Sequence, residues 1–227
     1  PHVRNVDWSM YLRIRRNPVL RSLAKLYLTP ERLAKLDALS DNIEVVDLSK
    51  GLPFPDNFAD GVYHSHFLEH LDRKDAVLFA REIYRVLRPD GIHRIVVPDM
   101  ERLSRTYLEH LDACRTDGSL RSNHEEYIAS IIEQMVRRDA YGASQQKPWK
   151  RLFETIVIGN AAKRGETHRW MYDSESLGMM LTTIGFREFA VKTFNTSDIG
   201  GWNDIGLDRN DLGMEYKPGS LYAEARK

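Results

Sequence analysis

Cysteine is almost absent. A single residue, Cys114, among 227 excludes an internal disulfide framework and suits a reducing compartment, so a cytoplasmic location is expected. Net charge is absent as well: 33 Lys and Arg balance 33 Asp and Glu. No global field then draws the chain to nucleic acid or to an anionic membrane, and any partner has to be recognised at a local site. No apolar run approaches the ~20 residues that span a bilayer. No signal peptide, internal repeat or low-complexity tract is recognisable. Glycine is missing from the start, since none of the 14 lies before Gly51. What remains, 42% hydrophobic and 29% charged, is ordinary globular composition, enough for one domain over 1–227 with a sizeable core and an insertion.

The patterning alternates between two periods. From Ser9 to Leu39 it is helical, basic and amphipathic, broken at Pro18 and at Thr29-Pro30. The second break carries a hydroxyl, a proline and then an acid, a helix start. Arg13, Arg15, Arg16, Arg21 and Lys25 read as a solvated face, or as a contact for an anionic acceptor. "NIEVVDL" (42–48) and "ADGVYHS" (59–65) are short strands. Ala76, Phe79, Ala80, Ile83, Val86 and Leu87 recur at helical spacing behind Asp72 and Asp75. Arg88-Pro89-Asp90-Gly91 is a stop and a turn. "IHRIVVP" (92–98) reads as a buried parallel strand. Residues 101–165 are helical and charged, an insertion or lid. Asp173 caps a helix ending at Gly185, and "REFAVKTF" and "SLYAEARK" close the chain as strands. This order predicts a doubly wound, mostly parallel α/β sheet.

In such sheets ligands sit beyond the carboxyl ends of the strands. Those ends carry Asp7, Asp47, His64-Ser65-His66 and Pro98-Asp99. A carboxylate at a strand end suits ribose hydroxyls or an adenine amino group, although strand-end aspartates also serve simply as turn formers. His66-Phe-Leu-Glu-His70 in addition fits the H-x-x-E-H pattern of inverted zinc peptidases, which need two His one helical turn apart plus a third ligand. Three fixed positions in five recur by chance, and Glu69 and His70 serve equally to hold the strand-to-helix turn.

The segment "VVDLSKGLPFPDNFADGVYHSHFLEHLDR…REIYRVLRPDGIHRIVVPD" resembles the class I S-adenosylmethionine-dependent methyltransferases of the type 11 group. The resemblance is good over about 42–100 and looser over "HRWMYDSESLGMMLTTIGF" and "GSLYAEARK". It implies a Rossmann-like methyltransferase fold with a terminal antiparallel strand pair, and S-adenosylmethionine as cofactor. It implies that Asp7, with Trp8 beside it, binds the ribose. It places Asp47 and Leu48 at the adenine, and His64, Ser65 and His66 beneath the methionine end. His66 becomes a candidate general base, and His168 and Tyr172 candidates on the acceptor side.

Two departures stand out. The family's Lys-Pro-Gly-Gly turn is Arg88-Pro89-Asp90-Gly91 here. No glycine-rich loop or first strand precedes Asp7, so both are expected upstream of Pro1. The expected activity is methyl transfer to a small-molecule or carbohydrate-like acceptor, without nucleic acid, membrane span or metal, and compatible with a homodimer. A non-catalytic binding protein on the same fold is the alternative, and a zinc peptidase the remote one.

Overall fold

The computed structural model describes residues 2–7, 10–28, 30–39, 42–46, 48, 51–135 and 168–227. Trp8, Asp47 and residues 136–165 of the expected insertion lie outside the described residues. The described chain divides into two compact units, one within residues 2–53, the other comprising 54–135 and 168–227.

In the first unit β1 (Asn5–Asp7) pairs in parallel with β2 (Ile43–Val45), with Asp7 opposite Val45. Three helices connect them: α1 (Met10–Arg16), α2 (Pro18–Tyr27) and α3 (Pro30–Asp37). α2 begins where Asn17 accepts hydrogen bonds from the Val19 and Leu20 amides, with Pro18 in the first turn. Ile14, Ala24 and Leu36 form its buried cluster, joined by Tyr11 and Leu28. The basic residues point outward: Arg13 and Lys25 are exposed, and Arg21 reaches Asp37 at 2.7 Å with both side chains about half exposed. The solvated-face reading fits this placement.

The second unit is built on a four-stranded sheet in the order β3-β4-β6-β5. β3 (Ala59–Ser65) and β4 (Leu87–Pro98) are parallel. β5 (Arg187–Lys192) and β6 (Ser220–Arg226) complete the sheet antiparallel, as the terminal strand pair. α4 (Arg73–Val86) and α7 (Ser174–Ile184) pack together on one face. Ala76, Ala80, Ile83 and Val86 of α4, and Leu177 and Leu181 of α7, are essentially buried, the one-sided pattern that the helical spacing predicts. α5 (Met100–Thr116) and α6 (His124–Met135) form a helical hairpin through a 3₁₀ turn, Gly118–Asn123. α8 (Trp202–Ile205) lies in the β5–β6 connection. Among the described residues no helix is long and apolar enough to cross a membrane.

Two features differ from the sequence reading. Leu87 to Gly91 belong to β4, and the expected turn is an excursion within it: Ala59 faces Leu87, yet Gly61 faces Ile92. β4 is also less apolar than its run suggests, because His93 and Arg94 are fully buried. They point to opposite faces of the sheet, and each is matched there by another polar group.

Candidate active site

β3 and β4 run parallel, so Ser65 and Pro98 end at the same edge of the sheet. At that edge the chain turns abruptly. His66 adopts φ 48°, a left-handed conformation that a non-glycine residue occupies only at a cost of about 1–2 kcal/mol. Its amide still donates to the Val96 carbonyl at 2.9 Å, so the turn is anchored to the ladder. The imidazole lies with Nδ1 3.1 Å from Glu69 Oε1 and Nε2 2.9 Å from Ser220 Oγ. A carboxylate can only accept. A proton on Nδ1 would face that carboxylate and leave the Nε2 lone pair to the serine hydroxyl.

Glu69 is wholly buried in the 3₁₀ turn Leu68–His70. Burial pushes its carboxyl up, but the contact with His66 and the neighbouring His70 outweigh this and hold it below its ordinary value. Neither Oε1 nor Oε2 makes an aligned hydrogen bond among the described residues; Oε1 faces His66 Nδ1 at 3.1 Å and His70 Nε2 at 3.9 Å as a charge contact. The Glu69 carbonyl accepts from the Arg169 and Trp170 amides at 2.7 and 3.2 Å, which straps segment 168–172 across the turn. His168 stands edge-on to His70 with ring centroids 4.8 Å apart, and its Nδ1 donates to the Gln134 carbonyl at 2.6 Å. The Arg73 guanidinium lies 5.0 Å from the Trp170 ring centre and 5.6 Å from that of Tyr172. Tyr172 is buried, and its phenol is pushed up by that burial. Trp170 is the exposed member, at 45%.

The structure thus brings His66, His168 and Tyr172 to one edge, together with Glu69, His70, Arg73 and Ser220. Ser65 is the partly buried last residue of β3. The His64 side chain does not join them. It points into the interior, its Nε2 3.0 Å from His93 Nε2, among Phe67 and Phe79. Burial pulls the His64 imidazole down to about 4, and His93 is lowered for the same reason. Asp7 ends β1 of the first unit, and Leu48 follows β2 there. Trp8 and Asp47 are not among the described residues. Asp99, at the end of β4, caps α5 by accepting from the Arg102 amide at 3.1 Å.

The helical arrangement of an inverted zinc peptidase is absent. His66 lies before a 3₁₀ turn rather than on an α-helix with His70, and both its ring nitrogens have protein partners. Sequence reasoning assigned Glu69 to backbone anchoring. Its carbonyl does that, while its carboxylate orients His66, a pairing foreshadowed only by the three-residue spacing. Ser220 lies 154 positions from His66 and carries no local signal.

On the other face of the sheet, Arg94 Nε donates to Asp208 Oδ2 and Nη1 to Glu224 Oε1, each at 2.8 Å. Its Nη1 also donates to the Thr196 carbonyl and Nη2 to that of Thr193. Tyr63 donates to Asp208 at 2.7 Å, and the Arg94 guanidinium sits 4.6 Å from the Trp202 ring centre. This network pins the β5–β6 connection to the sheet.

A family model for a methyltransferase domain matches residues 14–95. That span includes Asp47, Leu48 and His64 to Glu69, and leaves Asp7, Trp8, His168 and Tyr172 outside. No curated protein matches the chain. Among solved structures, an S-adenosylmethionine-dependent methyltransferase from Archaeoglobus fulgidus is 15% identical, with 98% of this chain and 84% of that one covered and a TM-score of 0.43. A "possible exported protein" from Bordetella parapertussis is 12% identical at a TM-score of 0.38. The match covers 98% of this chain and 52% of that one, so this chain spans about half of that protein's length. The 1,6-didemethyltoxoflavin-N1-methyltransferase of Burkholderia thailandensis, with 1,6-didemethyltoxoflavin and S-adenosylhomocysteine bound, is 14% identical. There the coverage is 98% and 69%, with a TM-score of 0.38.

Over residues 14–95 the chain is similar to a methyltransferase domain, which makes S-adenosylmethionine the cofactor to set against its residues. Within the second unit, the buried Glu69 carboxylate at the end of β3 carries a negative charge of the kind that suits a sulfonium.

Proposed function

We propose that the protein transfers a methyl group from S-adenosylmethionine to a hydroxyl or amine of a small-molecule or carbohydrate-like acceptor, with His66 as the general base. The carrying observation is the Glu69–His66–Ser220 arrangement at the end of β3, inside or paired to the matched domain. When bound, the cofactor supplies an electrophilic methyl group on a sulfonium, so this chain's own work is to align the acceptor and accept its proton.

His66 is suited to that work. Glu69 fixes the tautomer that leaves Nε2 unprotonated and stabilises the imidazolium formed when a proton arrives. Ser220 occupies Nε2 through its hydroxyl, and an acceptor hydroxyl either replaces it or passes its proton through it. His168 and Tyr172 stand on the acceptor side in this reading, and Trp170 offers an exposed aromatic surface beside them. Asp7, Trp8, Asp47, Leu48, His64, Ser65 and His66 are the proposed cofactor residues, His64 through its backbone. The single, buried Cys114 supports a cytoplasmic location.

The test is transfer of labelled methyl from S-adenosylmethionine to a panel of hydroxylated and amino small molecules and sugars. His66→Ala should lower kcat by about 10²- to 10⁴-fold on the best acceptor, a loss much larger than any accompanying change in S-adenosylhomocysteine affinity. Full kcat in His66→Ala removes the base from His66.

A further inference from the structure

The helical hairpin carries a second convergence of chemistry, away from His66. His110 and Cys114 lie one turn apart on α5 and therefore on one face. The turn Gly118–Asn123 brings the chain back so that α6 opens with His124 opposite them. The Nδ1 atoms of His110 and His124 are 3.0 Å apart, and Cys114 Sγ lies 3.5 Å from the first and 4.0 Å from the second.

We propose that His110, Cys114 and His124 bind one zinc ion that clamps α5 to α6. Tetrahedral zinc, with bonds of about 2.0–2.1 Å to nitrogen and 2.3 Å to sulfur, separates its ligands by roughly 3.3 Å for N···N and 3.6 Å for N···S. The three atoms already stand within a few tenths of an ångström of those spacings. The ring orientations are set as well. His110 Nε2 donates to Asn123 Oδ1 at 3.2 Å, which leaves its Nδ1 lone pair directed at the site. His110 stacks on Tyr127 with centroids 3.8 Å apart, and His124 on Tyr107 at 5.6 Å. Cys114 is buried, at 5% exposure, so a thiolate formed there is shielded from other reactions. Two imidazoles and a thiolate are the borderline-soft donors that zinc prefers. Three protein ligands leave the fourth position to water. Binding deprotonates the thiol: zinc forms bonds to Sγ and two Nδ1 atoms, the S–H bond breaks and its proton goes to solvent. This departs from the expectation of a protein without stoichiometric metal.

Cobalt replaces zinc as a visible probe, and Cys114 is the only cysteine in the chain. Chelator-treated protein should bind one equivalent of Co²⁺ with a thiolate-to-cobalt charge-transfer band in the near ultraviolet, and zinc should displace it. Cys114→Ser should abolish the band. Asn123→Ala should keep it while weakening zinc affinity about 10- to 100-fold. Glu69, His70 and His168 also bring ligand atoms within 4.8 Å of one another, so His70→Ala is the control and should leave band and affinity unchanged. Absence of saturable binding in the unsubstituted protein overturns the proposal, as does binding without the band, or binding lost in His70→Ala.

Discussion

At the residue scale three side chains, His66, Glu69 and Ser220, meet at the edge of the second unit's sheet. The position of His66 was legible, because it directly follows a strand whose end could be read from the sequence. Its partners were less so. Strand alternation alone separates His64 from Ser65, and it sends the His64 side chain inward to His93 rather than toward the strand-end edge. Ser220 is distant in sequence and becomes a partner only because β6 pairs antiparallel with β4, with Ser220 opposite Pro98. If the Glu69 charge orients and stabilises His66, Glu69→Gln should keep the packing and lose the charge that faces Nδ1, a cost of about 1.5–3 kcal/mol, or roughly 10- to 150-fold in kcat. Methyl-transfer kinetics with denaturation as a control will check this, and an unchanged kcat would mean that Glu69 is structural only.

At the scale of elements, most of the second unit was readable. The boundaries of β3 fall at the expected residues, and α7 starts at a capping box on Asp173 and Ser176 and stops at Gly185, φ 123°. Both carry local signals, since turn and cap residues act on their own neighbours. The excursion in β4 shows the limit. Its turn chemistry was visible, but that it interrupts a strand paired on both sides was not, because register is a property of the partners. The structure explains the departure from two glycines there. Asp90 takes the left-handed conformation, φ 65°, which Asp tolerates better than most residues. Gly91 has no room to change: a Cβ would meet the Arg88 carbonyl oxygen at 2.9 Å and that of Asp60 at 3.2 Å. Gly91→Ala should therefore destabilise by about 1–3 kcal/mol. Asp90→Gly relieves strain, loses an exposed ion pair with Arg187 that is worth little, and should shift stability by less than about 1 kcal/mol. Urea midpoints will distinguish the two; equal shifts would contradict this account of the turn.

At the scale of the whole molecule, balanced charge conceals buried polarity. Composition excluded a global field but gave no sign that His93 and Arg94 sit inside a strand, each matched by a partner across the sheet or on its covering segment. The consequence is a dependence on pH. Folded His64 titrates at about 4, against an ordinary 6.5, and His93 is also lowered. Above pH 6.5 both histidines are neutral folded or unfolded, and their contribution is whole. As pH falls the unfolded chain takes up protons that the folded chain refuses, and the His64 contribution is lost by the time pH has passed through about 4. For His64 this amounts to roughly 3 kcal/mol. Urea titrations from pH 7.5 to 4.5 should show the decline, and the double variant His64→Phe with His93→Phe should flatten it. A slope unchanged in the double variant would assign the acid sensitivity elsewhere.

The central claim is that this chain is built to hold S-adenosylmethionine, and calorimetric titration with S-adenosylhomocysteine tests it most directly. One saturable site is expected. Asp7→Ala should weaken it roughly 10- to 150-fold, since a carboxylate accepting from a ribose diol loses hydrogen bonds worth about 1.5–3 kcal/mol each. Asp47→Ala should weaken it less, because an adenine amino group offers fewer donors. Asp56→Ala, at an exposed carboxylate held by Arg85 at 2.8 Å, should leave affinity unchanged. No saturable binding to the folded protein, or unaltered affinity in both Asp7→Ala and Asp47→Ala, would contradict the account.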